Sequence, residues 1–173
     1  MEVVVTRLGV IALAVLLSGA CSAPPPVGLS GVWEVDAITR AGSTDADPEP
    51  SQAIFTTSHY SLLWIYPDSS MRAFEQRWTP SDAEKIRRYG EIVVNAGSYE
   101  LTDDSTMTLL PAISRVPEFM GGGRLIYDFR LKGDTLWLTS LDEYSFDGVQ
   151  APWAASGTRL TLRLKRVAES AVD

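Results

Sequence analysis

Alternation of apolar and polar residues with a period of two dominates the chain from Leu29 onward. The run 31–38 puts its tryptophan, valine and alanine on one face and its two acidic residues on the other. The runs 124–131 and 159–165 alternate in the same way. This pattern is typical of strands with one buried face, and it predicts eight or nine short strands, the count depending on a candidate strand over 71–78.

One segment breaks the strand pattern and has the features of a helix start. Thr79 suits the N-cap position and Pro80 suits the first helical position. Asp82 and Glu84 place negative charge at the positive end of the helix dipole. The sequence therefore predicts one inserted helix near residues 80–94.

Serial antiparallel strands joined by tight turns must close or cover their edges. A closed up-and-down barrel of eight to nine strands does this within one chain, and it leaves room for one small ligand. A two-sheet β-sandwich is the alternative, since the same number of strands allows it. With 173 residues, the chain fits one such domain, which we assign to 29–167 with a C-terminal tail at 168–173.

The first twenty residues have the layout of an export signal. Arg7 precedes an apolar run over 8–17, and small residues follow at 18–20. The run is shorter than the roughly 20 residues that a membrane-spanning helix needs. We therefore predict a signal peptide over 1–20, with a short transmembrane anchor as the alternative.

The end of this segment, Leu17-Ser18-Gly19-Ala20-Cys21, resembles the lipobox of bacterial lipoproteins. The resemblance implies cleavage before Cys21 and a diacylglycerol on its sulfur, with acyl chains such as palmitate. Residues 21–28 would then be a lipidated cysteine and a proline-rich, extended tether. This implies attachment to the cell envelope, at the outer membrane facing the periplasm in a Gram-negative cell and otherwise at the cell membrane. An incidental thiol in an ordinary signal peptide is the alternative.

The first strand carries Gly31-Val32-Trp33, which resembles the Gly-x-Trp signature of lipocalins. The resemblance implies a calycin-type barrel whose closed end is plugged by Trp33, beneath a basic side chain of the last strand. The basic candidates there are Arg159, Arg163 and Arg166. Four further phrases resemble small bacterial lipocalin-like domains, and they are 54–61, 95–100, 117–122 and 133–138.

Aromatic residues on the predicted strands are the candidate ligand contacts. They are Phe55, Trp64, Tyr99, Tyr127, Phe129 and Trp137. A ligand that buries ~300 Å² of apolar surface gains ~7 kcal/mol, of which association costs at least ~4 kcal/mol. Tight binding would therefore need polar anchors as well. The alternative is that these rings fill a solid core.

Charge and composition narrow the function further. The net charge of -7 argues against a nucleic-acid partner. A single cysteine and a single histidine, His59, exclude a multi-cysteine or multi-histidine metal centre in this chain, and we expect no cofactor. We predict a lipid-anchored barrel that binds or carries a small hydrophobic molecule without covalent chemistry. The alternatives are an isomerase or hydrolase that uses His59 or a tyrosine–carboxylate pair, and a structural or partner-binding lipoprotein with a packed core.

Overall fold

The computed structural model describes residues 28–67, 69 and 71–168. The predicted signal peptide, Cys21 and most of the tether lie outside these residues. The strands, in chain order, are β1 Gly31–Arg40, β2 Ser43–Asp45, β3 Gln52–Phe55, β4 His59–Ile65, β5 Ile92–Leu101, β6 Thr106–Ser114, β7 Arg124–Lys132, β8 Thr135–Tyr144 and β9 Leu160–Arg166. The helical segments are α1 Asp82–Glu91, α2 Pro152–Ala155 and a 3₁₀ turn at Pro117–Phe119.

The sheet closes on itself. Its strands follow the order β2-β1-β3-β4-β5-β6-β7-β8-β9, and β1 also pairs with β9. The first half of β1 pairs with β3 and its second half with β2, while its other edge pairs with β9 from Trp33 to Arg40. Eight strands therefore form a closed antiparallel barrel, with β2 as an extra strand. The predicted barrel is confirmed, and the sandwich alternative is excluded.

The two ends of the barrel differ in their connections. At one end, which we call the closed end, the strands are joined by the short turns 56–58, 102–105 and 133–134. The same end holds the start of β1 and the end of β9. At the opposite end, which we call the open end, the connections are long, and they cover 66–91, 115–123 and 145–159.

Trp33 fills the closed end of the barrel. Its side chain is fully buried, and its indole Nε1 donates a hydrogen bond to the Leu29 carbonyl at 3.0 Å. The Arg166 guanidinium lies 4.1 Å from the centroid of the indole ring and donates to the Ser30 carbonyl at 2.8 Å. A side chain at Gly31 would place its Cβ 2.5 Å from the Arg166 Nη1 atom. Glycine at this position therefore lets the arginine lie across the tryptophan.

Apolar side chains fill the closed half of the lumen. They alternate along most of each strand, as the period of two requires. The fully buried leucine and methionine side chains are Leu29, Leu62, Met107, Leu109, Leu136, Leu138, Leu162 and Leu164. This half of the barrel is a solid core.

The helical segment is shorter than its sequence predicts. Ser81, rather than Thr79, is the N-cap of α1, and it forms a capping box with Glu84. No residue of α1 is buried. The helix gives way to β5 at Ile92, because the β-branched residues there pair with β4. The predicted strand over 71–78 is wrong, since those residues are an irregular part of the long connection.

No helix within the described ranges is long and apolar enough to cross a membrane.

The packing at the closed end predicts the cost of removing Trp33. We expect Trp33→Ala to lower the free energy of unfolding by about 3–5 kcal/mol, because it empties a fully buried site and removes the surface on which Arg166 lies. The matched control is Trp78→Ala, whose side chain is 87% exposed and whose effect should stay within about 0.5 kcal/mol. Urea unfolding monitored by circular dichroism measures both. Similar losses for the two variants would contradict this account of the plug.

Candidate functional site

Three β-bulges interrupt the regular alternation of the barrel strands. In β1, Asp36 has no partner on β9, because Val35 pairs with Leu164 and Ala37 with Arg163. Ala112 is the extra residue of β6 opposite β5, and Leu141 is the extra residue of β8 opposite β7. An extra residue reverses which face each following side chain occupies.

The bulges turn polar residues into the lumen. Strict alternation from the buried residues before each bulge would place Arg40, Ser114 and Glu143 on the outer face. Beyond the bulges, all three line cavities at the open end. Periodicity alone does not predict this change of face, and it leaves Glu143 among the outward-facing residues of β8. The one signal in β1 is the adjacent pair Ala37-Ile38, because two consecutive apolar residues already break the period of two.

Two adjoining cavities occupy the open half of the lumen. One, on the side of β1 and β9, has a volume of about 120 Å³. The other, on the side of β5 and β6, has a volume of about 110 Å³, and we call it the inner cavity. An engineered apolar cavity of ~150 Å³ binds benzene, so each cavity is on the scale of a small ring. The two share five lining residues, which are Trp64, Tyr66, Tyr127, Glu143 and Trp153. The site is therefore a narrow space with aromatic walls and one carboxylate.

Glu143 is the carboxylate of this site. Its Oε2 atom accepts a hydrogen bond from the Trp153 indole Nε1 at 2.5 Å. Burial raises the pKa of Glu143 above its ordinary value of 4.5, and the neighbouring Asp142 charge adds to the rise, whereas the Trp153 hydrogen bond opposes it. Burial also raises the pKa of Tyr127, and the Glu143 charge raises it further. The tyrosine and the carboxylate are thus electrostatically coupled within one cavity.

Unpartnered polar atoms lie in the same region. Asn95 is only 3% exposed and lines the inner cavity, yet its Oδ1 atom has no hydrogen-bond donor among the described residues. The Arg115 Nε atom, in a residue that lines the same cavity, also lacks a partner within that set. A buried polar group without a partner costs ~1–3 kcal/mol. Such atoms are usually satisfied by water or by a ligand.

The six aromatic residues predicted as ligand contacts separate into three groups. Trp64 and Tyr127 line both cavities. Three others are buried in the core cluster, and they are Phe55, Tyr99 and Phe129. Phe55 and Tyr99 meet edge to face at 5.7 Å, and the Tyr99 hydroxyl donates to the Thr56 carbonyl at 2.8 Å. This pair belongs to the packing of the closed end.

Trp137 lies outside the lumen in which the sequence analysis placed it. It alternates with the fully buried Leu136 and Leu138, so its side chain projects from the outer face of β8. There the Arg130 guanidinium lies 4.1 Å from the centroid of its ring. The sequence analysis counted aromatic residues on strands without separating the two faces of β8.

His59 lies at the closed end, away from the cavities. Its side chain is exposed, and its Nδ1 atom is 2.9 Å from the Ser58 hydroxyl. This position removes the catalytic alternative centred on His59. Asp103 binds the backbone amides of Ser105 and Thr106 in the turn after β5, which is a structural role. No group of three or more potential metal ligands occurs in the described part of the chain.

A wider cleft of about 610 Å³ lies outside Trp153 at the open end. Trp153 lines both this cleft and the two lumen cavities. Its ring meets Phe119 edge to face at 6.4 Å. The other large apolar residues of the cleft, Phe146 and Val149, are more than half exposed. Trp153 therefore separates the lumen from the surface.

Burial of Glu143 predicts a definite dependence of stability on pH. The pKa of Glu143 is higher in the folded state than in the unfolded state. Its contribution to the free energy of unfolding is therefore fully present below the unfolded pKa, and it is lost as the pH rises through the folded pKa. We therefore expect the free energy of unfolding of Glu143→Gln, compared with that of the wild type, to increase as the pH is raised from about 3 to about 7. Urea unfolding at the two pH values measures the difference.

Asp103→Asn supplies a control of opposite sign. Hydrogen bonds from Ser105 and Thr106 hold the pKa of Asp103 below its ordinary value of 3.8, so its contribution is lost as the pH falls. This variant should lose stability relative to the wild type over the same rise in pH. If the two variants changed in the same direction, the assigned burial of Glu143 would be wrong.

Comparisons with known proteins give little beyond the structure itself. No family model matches the sequence. No curated protein sequence matches it. The solved structures that are similar include a redesigned β-barrel, which is 16% identical in sequence. The similarity covers 81% of this chain and 92% of the β-barrel's chain, with a TM-score of 0.38.

Proposed function

We propose that this chain binds and carries a small, largely apolar molecule in the open half of its barrel, without covalent chemistry on it. The observation that carries the proposal is the division of the lumen into a packed closed half and an open half with two aromatic-walled cavities. Ligand sites are typically concave and mostly apolar, with a few polar groups that fix orientation. Trp64, Tyr66 and Tyr127 form such walls, and Glu143 and Asn95 are the polar groups.

The size of the cavities limits the ligand. At about 120 Å³ and about 110 Å³, they suit a molecule with one ring and a short side chain. Burial of so small a molecule offsets the cost of association only in part. The affinity therefore depends on hydrogen bonds to the polar groups of the site.

The proposal also places the protein at the bacterial cell envelope as a lipocalin-like lipoprotein. It rests on the resemblance of residues 17–21 to a lipobox and of Gly31-Val32-Trp33 to the lipocalin first strand. The Gly28 carbonyl accepts a hydrogen bond from Arg166, so the chain enters the barrel at the closed end. A membrane anchor on Cys21 would join that end, and the cavities would open at the opposite one. The anchor would hold the protein at the outer membrane facing the periplasm in a Gram-negative cell, and otherwise at the cell membrane.

Acid–base catalysis is a second candidate function. Tyr127 and Glu143 line the same cavity, and burial raises the pKa of both groups. A carboxyl group with a raised pKa suits proton transfer near neutral pH. In this case a bound molecule would be recovered chemically changed, whereas a carrier would release it unchanged.

The anchor is tested on the full-length protein expressed in a bacterial host. We expect the intact mass to correspond to a chain that begins at Cys21 and carries diacylglycerol, since two acyl chains give stable anchoring. Cys21→Ser should lose this mass and move from the membrane fraction to the soluble fraction or stay as the precursor. A wild-type chain that is processed but not acylated would refute the lipid anchor and leave the binding proposal standing.

Ligand binding is tested by filling the inner cavity. Val93 lines that cavity, and we expect Val93→Phe to weaken binding of the probe 2-phenylethanol by about tenfold or more, because the added ring occupies the space. The matched control is Val167→Phe at an exposed position after β9, which should bind as the wild type does. Isothermal titration calorimetry measures both. Unchanged binding in Val93→Phe would place the site elsewhere.

A further inference from the structure

We infer that the open-end site is built for a protonated amine, so that its ligand is a small primary amine with an aromatic or aliphatic body. This inference rests on the proposed binding function and names its ligand class. Three features carry it, and they are an uncompensated carboxylate, aromatic walls and a buried acceptor without a donor.

The carboxylate of Glu143 has no cationic partner within the described ranges. The ion pairs found there join other acidic residues to arginine or lysine, and these are Asp36, Asp82, Glu91 and Asp134. The protein partner of the Glu143 side chain is the neutral indole of Trp153. Glu143 is partly buried, and charges withdrawn from water are normally paired, so an ammonium group from a ligand would supply that pairing.

The walls around the carboxylate favour a cation as well. Four aromatic side chains line the same two cavities, and they are Trp64, Tyr66, Tyr127 and Trp153. The faces of such rings attract an ammonium group, and the attraction is stronger where water is excluded. The same rings offer apolar contact to the body of the ligand.

Asn95 adds an independent observation. Its side chain is almost fully buried, it lines the inner cavity together with Glu143, and its Oδ1 atom lacks a donor. An ammonium group carries three donors and no acceptor. One ammonium group therefore has enough donors for both the Asn95 amide oxygen and the Glu143 carboxylate. A carboxylate ligand would leave the Asn95 oxygen unsatisfied and would face Glu143 as a like charge.

The arginines near the cavities do not neutralise Glu143. The Arg115 Nη1 atom donates to the Tyr89 carbonyl at 2.6 Å, its guanidinium lies 5.1 Å from the centroid of the Tyr89 ring, and its Nε atom has no acceptor within the described residues. Arg40 is exposed, and its guanidinium lies 5.9 Å from the centroid of the Tyr66 ring. Asp142, the acidic neighbour of Glu143, accepts hydrogen bonds from Tyr144 and Gln150.

Three probes of similar shape and different charge test the inference on the full-length protein. They are 2-phenylethylamine, 2-phenylethanol and 3-phenylpropanoate, titrated calorimetrically at about pH 7, where the amine is protonated. We expect the amine to bind at least about tenfold more tightly than the alcohol, and the carboxylate to bind most weakly. Glu143→Gln should reduce the ratio of the amine affinity to the alcohol affinity to within about twofold, because the variant lacks the negative charge that distinguishes the two probes.

Two controls test whether a change in affinity comes from misfolding. Thermal unfolding shows whether Glu143→Gln is folded, and a matched variant makes the same substitution elsewhere. Glu100→Gln makes the same change on the exposed face of β5 and should leave all three affinities as they are. Equal binding of the amine and the alcohol by the wild type would overturn the inference while leaving the binding proposal intact. Tightest binding of the carboxylate would also overturn it. If none of the three probes bound, both the inference and the proposed function would fall.

Discussion

The pairing of β1 with β9 is the interaction on which the rest of the barrel depends. Without it, the hydrogen-bonded order would be an open sheet with β2 and β9 at its edges. With it, Trp33 pairs with Arg166, and the arginine reaches across the indole to the backbone before β1. The same seam holds the bulge at Asp36, whose carboxylate accepts a hydrogen bond from the Arg163 Nε atom at 2.7 Å. The pairing of β1 with β9 therefore seals the closed end. It also contains the bulge after which the residues of β1 that face the open half of the lumen change.

The bulges explain why a single lumen has two kinds of surface. Before each bulge, the period of two puts apolar residues inside, as Leu136 and Leu138 do on β8. After the bulge at Leu141, the same period puts Glu143 inside. One extra residue thus changes the inward face of a strand from apolar core to the polar lining of a cavity, without a change of fold. Because the same device recurs on β1 and β6, the polar groups collect at the open end.

The sequence predicted the features that depend on periodicity. The barrel and its inserted helix followed from alternating strands and a helix start predicted at Thr79, two residues before the observed N-cap Ser81. The lining of the cavities was harder to predict, because a bulge depends on pairing between strands that are distant in sequence. Read along β8 alone, Glu143 belongs with the outward-facing side chains and Trp137 counts as another aromatic residue on a strand. The helix was predicted to be longer than it is for a related reason. It ends where β5 begins, and β5 begins at Ile92 because that residue pairs with Ile65 on the distant strand β4.

Trp153 is hydrogen-bonded to Glu143, so in the proposed complex the ligand would bind a carboxylate that already has one donor. The indole occupies one carboxylate oxygen, and a carboxylate accepts about four hydrogen bonds through its two oxygens. A ligand donor can therefore reach Glu143 while the indole hydrogen bond is kept. Since α2 has only four residues, its position depends on this hydrogen bond and on the contact with Phe119. In the proposed complex, the indole of Trp153 and the ligand would therefore be held by the same carboxylate, and the hydrogen bond that positions α2 would also form part of the ligand site.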